Sequence, residues 1–535
     1  MMKKILKILD VLIVLSFIMV VYPTAIVSAV GEETTEKLFV VAIEGDVETL
    51  DPNFAAYATS NWSDLNLYDQ FFEYGIDDTG KGYSVTNVSK MEGKAIESWE
   101  VAEDRMSVVL HVRKGVTFPL TGNPMTADDI IFWYKRGLNT DGGIHYNIEA
   151  CDISNVTKIG DYDVLVEFSR PLYLFFYYGR DHSQGVIDSV EVMKHATADD
   201  PWGSNWLAKH YAGAGEYIVE SWDQGVQMVW KANKDYWAGK AYFDKVILKV
   251  IPDSTRRAML MKQGEVDAAL GLSPDQIDAI RDDENVNVLS LPSRTESVVF
   301  LNNSIPPFDN KKVRQAVSYL VPYESILNDI YKGRALQAKS VIPILGTNCN
   351  PGFWPYEFNV DKAKELLAEA GVPDGFEFSL NVKQGEEVSR IIAVTLQGAF
   401  KKAGVKMNIR EVTNAIWASE MATATAEATL WAVGYLMYVD DFGYALRYLK
   451  CNALYNRGRY CNPRVDELCE EFINTFDPVE RQKLADVAQY IIINDAPMLW
   501  LANVPLEYPL NSNIEGFVLM QDSLLWLYPL RHRVE

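Results

Sequence analysis

Cysteine and histidine are scarce in this 535-residue chain, five and six in all, and they are too scattered to form a zinc-ligand spacing. No HExxH helix, GxSxG elbow or complete phosphate loop occurs, so no recognisable hydrolytic or phosphoryl-transfer site assembles from motifs. Gly75, Gly80 and Lys81 have part of a phosphate-loop spacing. Position 82 is Gly where Ser or Thr would meet magnesium, and no buried strand feeds a helix there, so a solvated hairpin turn is expected. Gly213 and Gly215 are too few for a dinucleotide fingerprint and lead into a strand. Positive charge is short as well: 50 Lys and Arg against 73 Asp and Glu leave a net charge of -23. Such a surface repels nucleic acid and anionic lipid.

Long apolar runs are missing except near the start, where Lys3, Lys4 and Lys7 precede an apolar stretch at 11–21 and Val27, Ser28 and Ala29 offer small residues for cleavage. Residues 1–29 read as a secretory signal; because apolar character continues to Val30, an uncleaved anchor is the alternative. No cysteine precedes Cys151, which leaves no lipid attachment point at the mature N-terminus.

What remains has ordinary globular composition, 48% hydrophobic and 23% charged, and length for three to four domain-sized units. Strand and helix signals alternate. Strands are expected at 37–43, 107–112 and 164–168, and at 222–230, which is expected to pair with the opening segment. Thr126 caps a helix with Asp129 at its third position, and Ile130, Ile131, Tyr134 and Leu138 form its apolar side. Tyr242 and Phe243 lead into a strand at 246–250 that Pro252 stops. A helix follows, capped by Ser254 or Thr255, with Ala258, Met259 and Met261 on its apolar side and Gly264 at its end. Further helices are expected at 312–320, 361–370 and 389–403. The clearest pair carries Val465, Leu468, Cys469, Phe472, Ile473 and Phe476 on one stripe and, after Asp477 and Pro478, Leu484, Val487, Ala488, Ile491 and Ile492 on the next. The class is α/β.

Several of these pieces stand in a telling order: LDP at 50–52, SWEVAED and HVRKGVTF within 98–118, TADDIIF at 126–132, NxxYW-G, strand, IPD, helix and GEVD through 233–270, PFDNKKVRQAVSY at 307–319, DKAKELLAEAG at 361–371, and CNPRVDEL followed by DPVERQKLADVAQ through 461–489. The order resembles the extracytoplasmic solute-binding proteins of peptide/nickel-type ABC importers, family 5. That resemblance implies a periplasmic-binding-protein type II fold: two ligand-closing lobes with a hinge, and an extra lobe. Lobe I would comprise 30–70, 186–297 and 506–535, the extra lobe 71–185, and the other closing lobe 298–505. It also implies a monomeric, non-enzymatic receptor outside the cytoplasm, needing no cofactor or metal. Such a receptor hands its ligand to permease subunits with their ATPases, and is membrane-associated through that permease or an uncleaved N-terminal segment.

Within the family the loop after the first strand lines the cleft, here near Tyr57, Asn61 and Trp62. Peptide-binding relatives carry GW-x-x-D-x-x-x-P in a segment aligned with 431–444, whose Asp pairs with the peptide's N-terminus. Here Gly434 and Tyr435 take the Gly-Trp position and Tyr438 takes the Asp. A buried ammonium needs a charged partner. Either Asp440 or Asp441 therefore reaches the pocket, or the ligand lacks a free amino terminus there. Lys383 lies near the arginine that holds the ligand's carboxylate in dipeptide-binding relatives, and Glu216 departs from a usual GTGPY or GTGAY pattern. A cysteine pair like Cys451 and Cys461 occurs at this place in relatives and implies a disulfide; Cys469 reads as a buried thiol, and Cys151 and Cys349 are not expected to bond. Peptides lead as ligand, since a cleft can treat their backbone as an added strand. Oligosaccharides come second, given 12% aromatic residues and 13 tryptophans, with Trp417, Tyr435 and Tyr438 as stacking candidates. A nickel complex or a secreted hydrolase using paired carboxylates is a more distant alternative.

Overall fold

Two large sheets organise the chain. The computed structural model describes residues 36–55, 58–172, 175–436, 448–453, 456–520 and 522–533. The proposed signal segment, Tyr57, Tyr438, Asp440 and Asp441 lie outside these residues.

The first sheet has seven strands, in the order Val286–Leu291, Leu506–Asn511, Ala268–Ala269, Leu38–Ile43, Lys245–Val250, Gln227–Ala232 and Tyr217–Asp223. The opening strand runs parallel to Lys245–Val250, with Phe39 opposite Val246, and parallel to Ala268–Ala269. Parallel strands are covered on both faces and so read as continuous apolar runs; Phe39, Val41, Ala42 and Ile43 are all buried. Residues 222–230 do not pair with the opening segment. They belong to an antiparallel hairpin, Tyr217–Asp223 with Gln227–Ala232, and Lys245–Val250 lies between that hairpin and the opening strand. The hairpin turns at Gly225, whose φ of 77° suits glycine.

The helix after this strand, Ser254–Lys262, is capped by Asp253, whose carboxylate accepts from the Arg256 amide, and not by Ser254 or Thr255. Its inward side is Arg257, Ala258, Leu260 and Met261, while Met259 is half exposed. The buried Arg257 guanidinium donates to the carbonyls of Ile251, Pro252, Leu270 and Gly271, tying the helix to two strand ends.

The second sheet has six strands, in the order Leu336–Gln337, Met498–Asn503, Thr295–Leu301, Ala428–Leu436, Glu377–Lys383 and Lys406–Val412. Thr295–Leu301 is buried at every residue. Helices Lys311–Ser318, Val360–Glu369 and Glu387–Phe400 pack on this sheet through Val313, Val317, Leu367, Ile392 and Leu396. On its other side lies the pair Pro463–Ile473 and Pro478–Asp495, whose Val465, Leu468, Cys469, Phe472, Ala488 and Ile492 are buried. Phe476 and Val487 are exposed instead. The first helix stops at Ile473, so Phe476 has left its apolar stripe.

A four-stranded antiparallel sheet (Ile96–Val101, Ser107–Val112, Asp163–Phe168, Ile153–Lys158) carries the helix Ala127–Leu138. Thr126 and Asp129 form the expected capping box, and Asp129 also accepts from the Ser189 amide and hydroxyl. Gly80 and Gly82 sit exposed in the turn between Phe72–Asp78 and Ser84–Gly93, a hairpin and no phosphate loop.

The chain passes between the two large sheets at 292–294 and again at 504–505. These passages bond to each other: the Val504 amide donates to the Thr295 carbonyl at 2.9 Å, and the Ser293 hydroxyl donates to the Val504 carbonyl.

Candidate functional site

In sheets with parallel strands, ligands gather beyond the strands' carboxyl ends. In the first sheet those ends are Ile43 and Val250 with the loop 44–50; in the second they are Lys383 and Val412, since Glu377–Lys383 and Lys406–Val412 are parallel.

Loop 44–50 is pinned at its backbone. Asp46 accepts from the Trp222 indole at 3.1 Å and the Gly225 amide at 2.6 Å; the Glu48 amide donates to the Ser60 hydroxyl at 3.1 Å; the Leu50 amide donates to the Ala208 carbonyl at 3.2 Å. Beneath it Asp51 and Arg136 form a fully buried two-pronged ion pair, with the guanidinium also donating to Ser204. Two acidic side chains of the loop, Glu44 and Glu48, are exposed, and the Glu48 backbone is held at its base by Ser60. Partial desolvation pushes the Glu48 carboxyl up to about 7, and Lys383, from the other sheet, pulls against that shift. Lys383 is already in an ion pair with Glu386 at 3.1 Å, and Glu386 also accepts from the Ser389 hydroxyl. In sequence Glu48 stands two residues before LDP on a strand-end loop, a place that no motif singles out.

The other expected residues are distributed as follows. Trp62 is turned into the core, its ring 5.4 Å from that of Trp230 and its indole N–H donated to the Leu525 carbonyl; it offers no face to a ligand. Asn61 is half buried, and its Oδ1 has no hydrogen-bond partner among the described residues. One turn on, Asp64 is buried with neither oxygen partnered among those residues, and burial followed by the fields of Asp51 and Asp181 pushes its pKa well up, which favours the neutral form. Trp417 lies on the helix Asn414–Thr423, edge-on to Trp431 at 5.8 Å, with its indole bonded to the Leu430 carbonyl at 3.4 Å. Tyr435 stands in the strand Ala428–Leu436, opposite Glu296 in register. The Cys451 and Cys461 sulfurs are bonded, closing the loop between them. Cys469 is a buried thiol whose pKa burial drives up, and Cys151 and Cys349 belong to separate cores.

Glu216 is consumed by structure. It lies 3.2 Å from Lys94 and accepts from the Trp526 indole, while Asp69 lies 3.6 Å from the same lysine and accepts from Tyr236 and Trp237. A cavity of about 260 Å³ lies behind loop 44–50, lined by Leu50, Phe118, Trp206, His210 and Tyr211. Its acids are engaged, Asp188 by Thr121 and Asn123, Glu191 by Lys194.

Comparison with known proteins places this geometry. The family described as "Bacterial extracellular solute-binding proteins, family 5 Middle" matches residues 90–456. The Dipeptide-binding protein of Escherichia coli (strain K12) is 25% identical over 519 residues, covering 91% of this chain and 93% of its own. Heme-binding protein A of Haemophilus influenzae is 28% identical over 458 residues, covering 80% and 82%. Among solved structures, the ABC transporter-associated periplasmic binding protein DppA from Helicobacter pylori, in complex with the peptide STSA, superposes with a TM-score of 0.84 at 22% identity, covering 93% of this chain and 99% of that one. The fold is the type II binding-protein fold.

Proposed function

The chain belongs to family 5 of the bacterial extracellular solute-binding proteins, and from that premise we propose that it captures a peptide between its two large sheets and delivers it to an ABC permease driven by paired ATPases. The observation that carries the reading is the pairing of two large sheets, each with parallel strands that end in loops, at Ile43 and Val250 in one and at Lys383 and Val412 in the other, joined through passages bonded side by side. A ligand placed between them touches both sheets, and only a closed arrangement contacts it on both sides, so binding shifts the population toward closure. A peptide suits such a site because its backbone supplies hydrogen bonds whatever its side chains. The dipeptide-binding relative, aligned over nearly its whole length, supports the same class.

Family members are binding proteins, and we read this one as a receptor that returns its ligand unchanged, acting as a monomer outside the cytoplasm. Mass spectrometry of whatever co-purifies, followed by calorimetry with di- to pentapeptides and with cello- and manno-oligosaccharides, tests it. Peptides are expected to bind and to be recovered intact after denaturation. Binding of sugars alone overturns the peptide assignment, and recovery of cleaved peptide overturns the receptor reading.

A further inference from the structure

The four-stranded sheet goes with the first large sheet. The chain enters it after the strand Leu38–Ile43 and leaves it before Tyr217–Asp223, and buried ion pairs fasten it there, Arg136 with Asp51 and Lys94 with Glu216. The helix pair Pro463–Ile473 and Pro478–Asp495 goes with the second sheet, on which it packs. These two assemblies nevertheless touch. The Arg170 guanidinium donates to Glu470 at 2.8 Å, and the Arg105 guanidinium lies 4.7 Å over Phe476, which is exposed in the connection between the two helices. None of these four residues stands beside the passages at 292–294 and 504–505 in the chain. Arg334 differs in this respect: it meets Glu507 at 3.2 Å, and Glu507 directly follows the second passage by two residues, close to where the halves turn.

The Arg170–Glu470 bridge can be unmade at little cost. In its own half Arg170 also pairs with Asp152 at 2.6 Å, and in the other half Glu470 also pairs with Lys450. Partial burial would raise the Glu470 carboxyl, but Lys450 and Arg170 outweigh it and hold it below its usual range. When the halves part, each charge keeps a partner. Opening therefore strands no ion, as breaking the fully buried Asp51–Arg136 pair would. Both Arg170 and Glu470 are partly exposed, where an ion pair is weak enough to reverse.

Resting on the closure reading, we propose that Arg170 with Glu470, and Arg105 with Phe476, form a latch that is made when the two large sheets close and broken when they open. The four are positioning residues: they set how long a ligand is held without touching it. Because the latch is made only after the ligand is enclosed, it slows release and leaves capture alone.

Two experiments on the full chain test it. In the first, Ala-Ala-Ala is the probe, and its association and dissociation are followed by tryptophan fluorescence at low and high salt. Arg170→Met and Glu470→Gln are each expected to raise the dissociation rate about two- to fivefold at low salt, to leave the association rate unchanged, and to add nothing to each other in the double variant; high salt shrinks the difference. Unchanged dissociation, additive effects, or an association rate that falls in step overturns the latch. The second experiment needs no ligand. Arg170→Lys is treated with a carbodiimide, which joins the introduced amine to the Glu470 carboxylate as an amide and takes up the water as a urea; peptide mapping separates that product from a link to Asp152. By small-angle scattering the chain joined at Glu470 is expected to have a smaller radius of gyration than the untreated, ligand-free chain. An equal or larger radius, or no link to Glu470, overturns the latch. The two readings fail separately. Wild type that contracts with Ala-Ala-Ala beside a joined chain that does not refutes the latch alone. A joined chain that contracts when Ala-Ala-Ala does not bind upholds the latch and refutes the peptide.

Discussion

Lys94 is as deeply buried as the two carboxylates beside it, Asp69 and Glu216, and the trio joins segments far apart in the chain. Burial raises Glu216 to about 7, against the attraction of Lys94. Burial alone would lower Lys94, but the charges of Glu216 and Asp69 outweigh it and leave its pKa raised, so the lysine stays charged through neutral pH. The unfolded chain releases the Glu216 proton near 4.5 and the folded chain near 7. Between those values the folded state binds more protons, so stability falls as pH rises, at most by about 1.4 kcal/mol per pH unit. Glu216→Gln should flatten the fall in urea midpoint between pH 5 and 7; an unchanged slope would show that the titration belongs elsewhere. A glutamate where relatives keep a small or cyclic residue is legible as an anomaly in the sequence. That it serves a buried lysine more than a hundred residues away is not.

Among the elements, the loop closed by Cys451 and Cys461 does the most with the least chain. The bond spans 10 positions, the Cys451 amide donates to Asp466 at the start of the next helix, and Lys450 pairs with Glu470 on that helix. Glu470 in turn meets Arg170, two residues past an inner strand of the four-stranded sheet, at 2.8 Å. Closing so short a loop removes unfolded-state freedom of roughly 2 to 3 kcal/mol. The double variant Cys451→Ser, Cys461→Ser should lose about that much in chemical denaturation, and reductant should produce the same loss in wild type alone. Equal stability with and without reductant would mean the cross-link is not made in solution. Helix caps show what is readable at this scale. The Thr126 box follows from sequence spacing, whereas the choice of Asp253 over Ser254 and Thr255 depends on where the backbone turns out of the strand.

At the scale of the molecule, the chain links the two large sheets, among the described residues, through the paired passages at 292–294 and 504–505, bonded side by side. Such a pair resists twisting while permitting a bend. Away from it, the four-stranded sheet's end meets the second sheet's helix pair through Arg170–Glu470, and the Arg105 guanidinium lies 4.7 Å over the ring of Phe476 in the connection between the two helices. Partly exposed contacts of this sort contribute about 0 to 1 kcal/mol each. Small-angle scattering should show a smaller radius of gyration with saturating ligand than without; an unchanged radius would refute closure. The sequence by itself determined the α/β class, most of the helices and the family, because hydrophobic periodicity, caps and motif order are local properties of the chain. It also carried the cysteine pair. Tertiary structure alone decided which of the expected site residues are core and which are not. Trp62 and Asn61 are adjacent in sequence, yet one is core and the other reaches an unsatisfied polar position, because a helix turns successive residues about 100° apart. Arg170 and Glu470 pair across 300 positions and belong to no common motif. Their meeting depends on how separate sheets and helices pack, and no pattern along the chain encodes that.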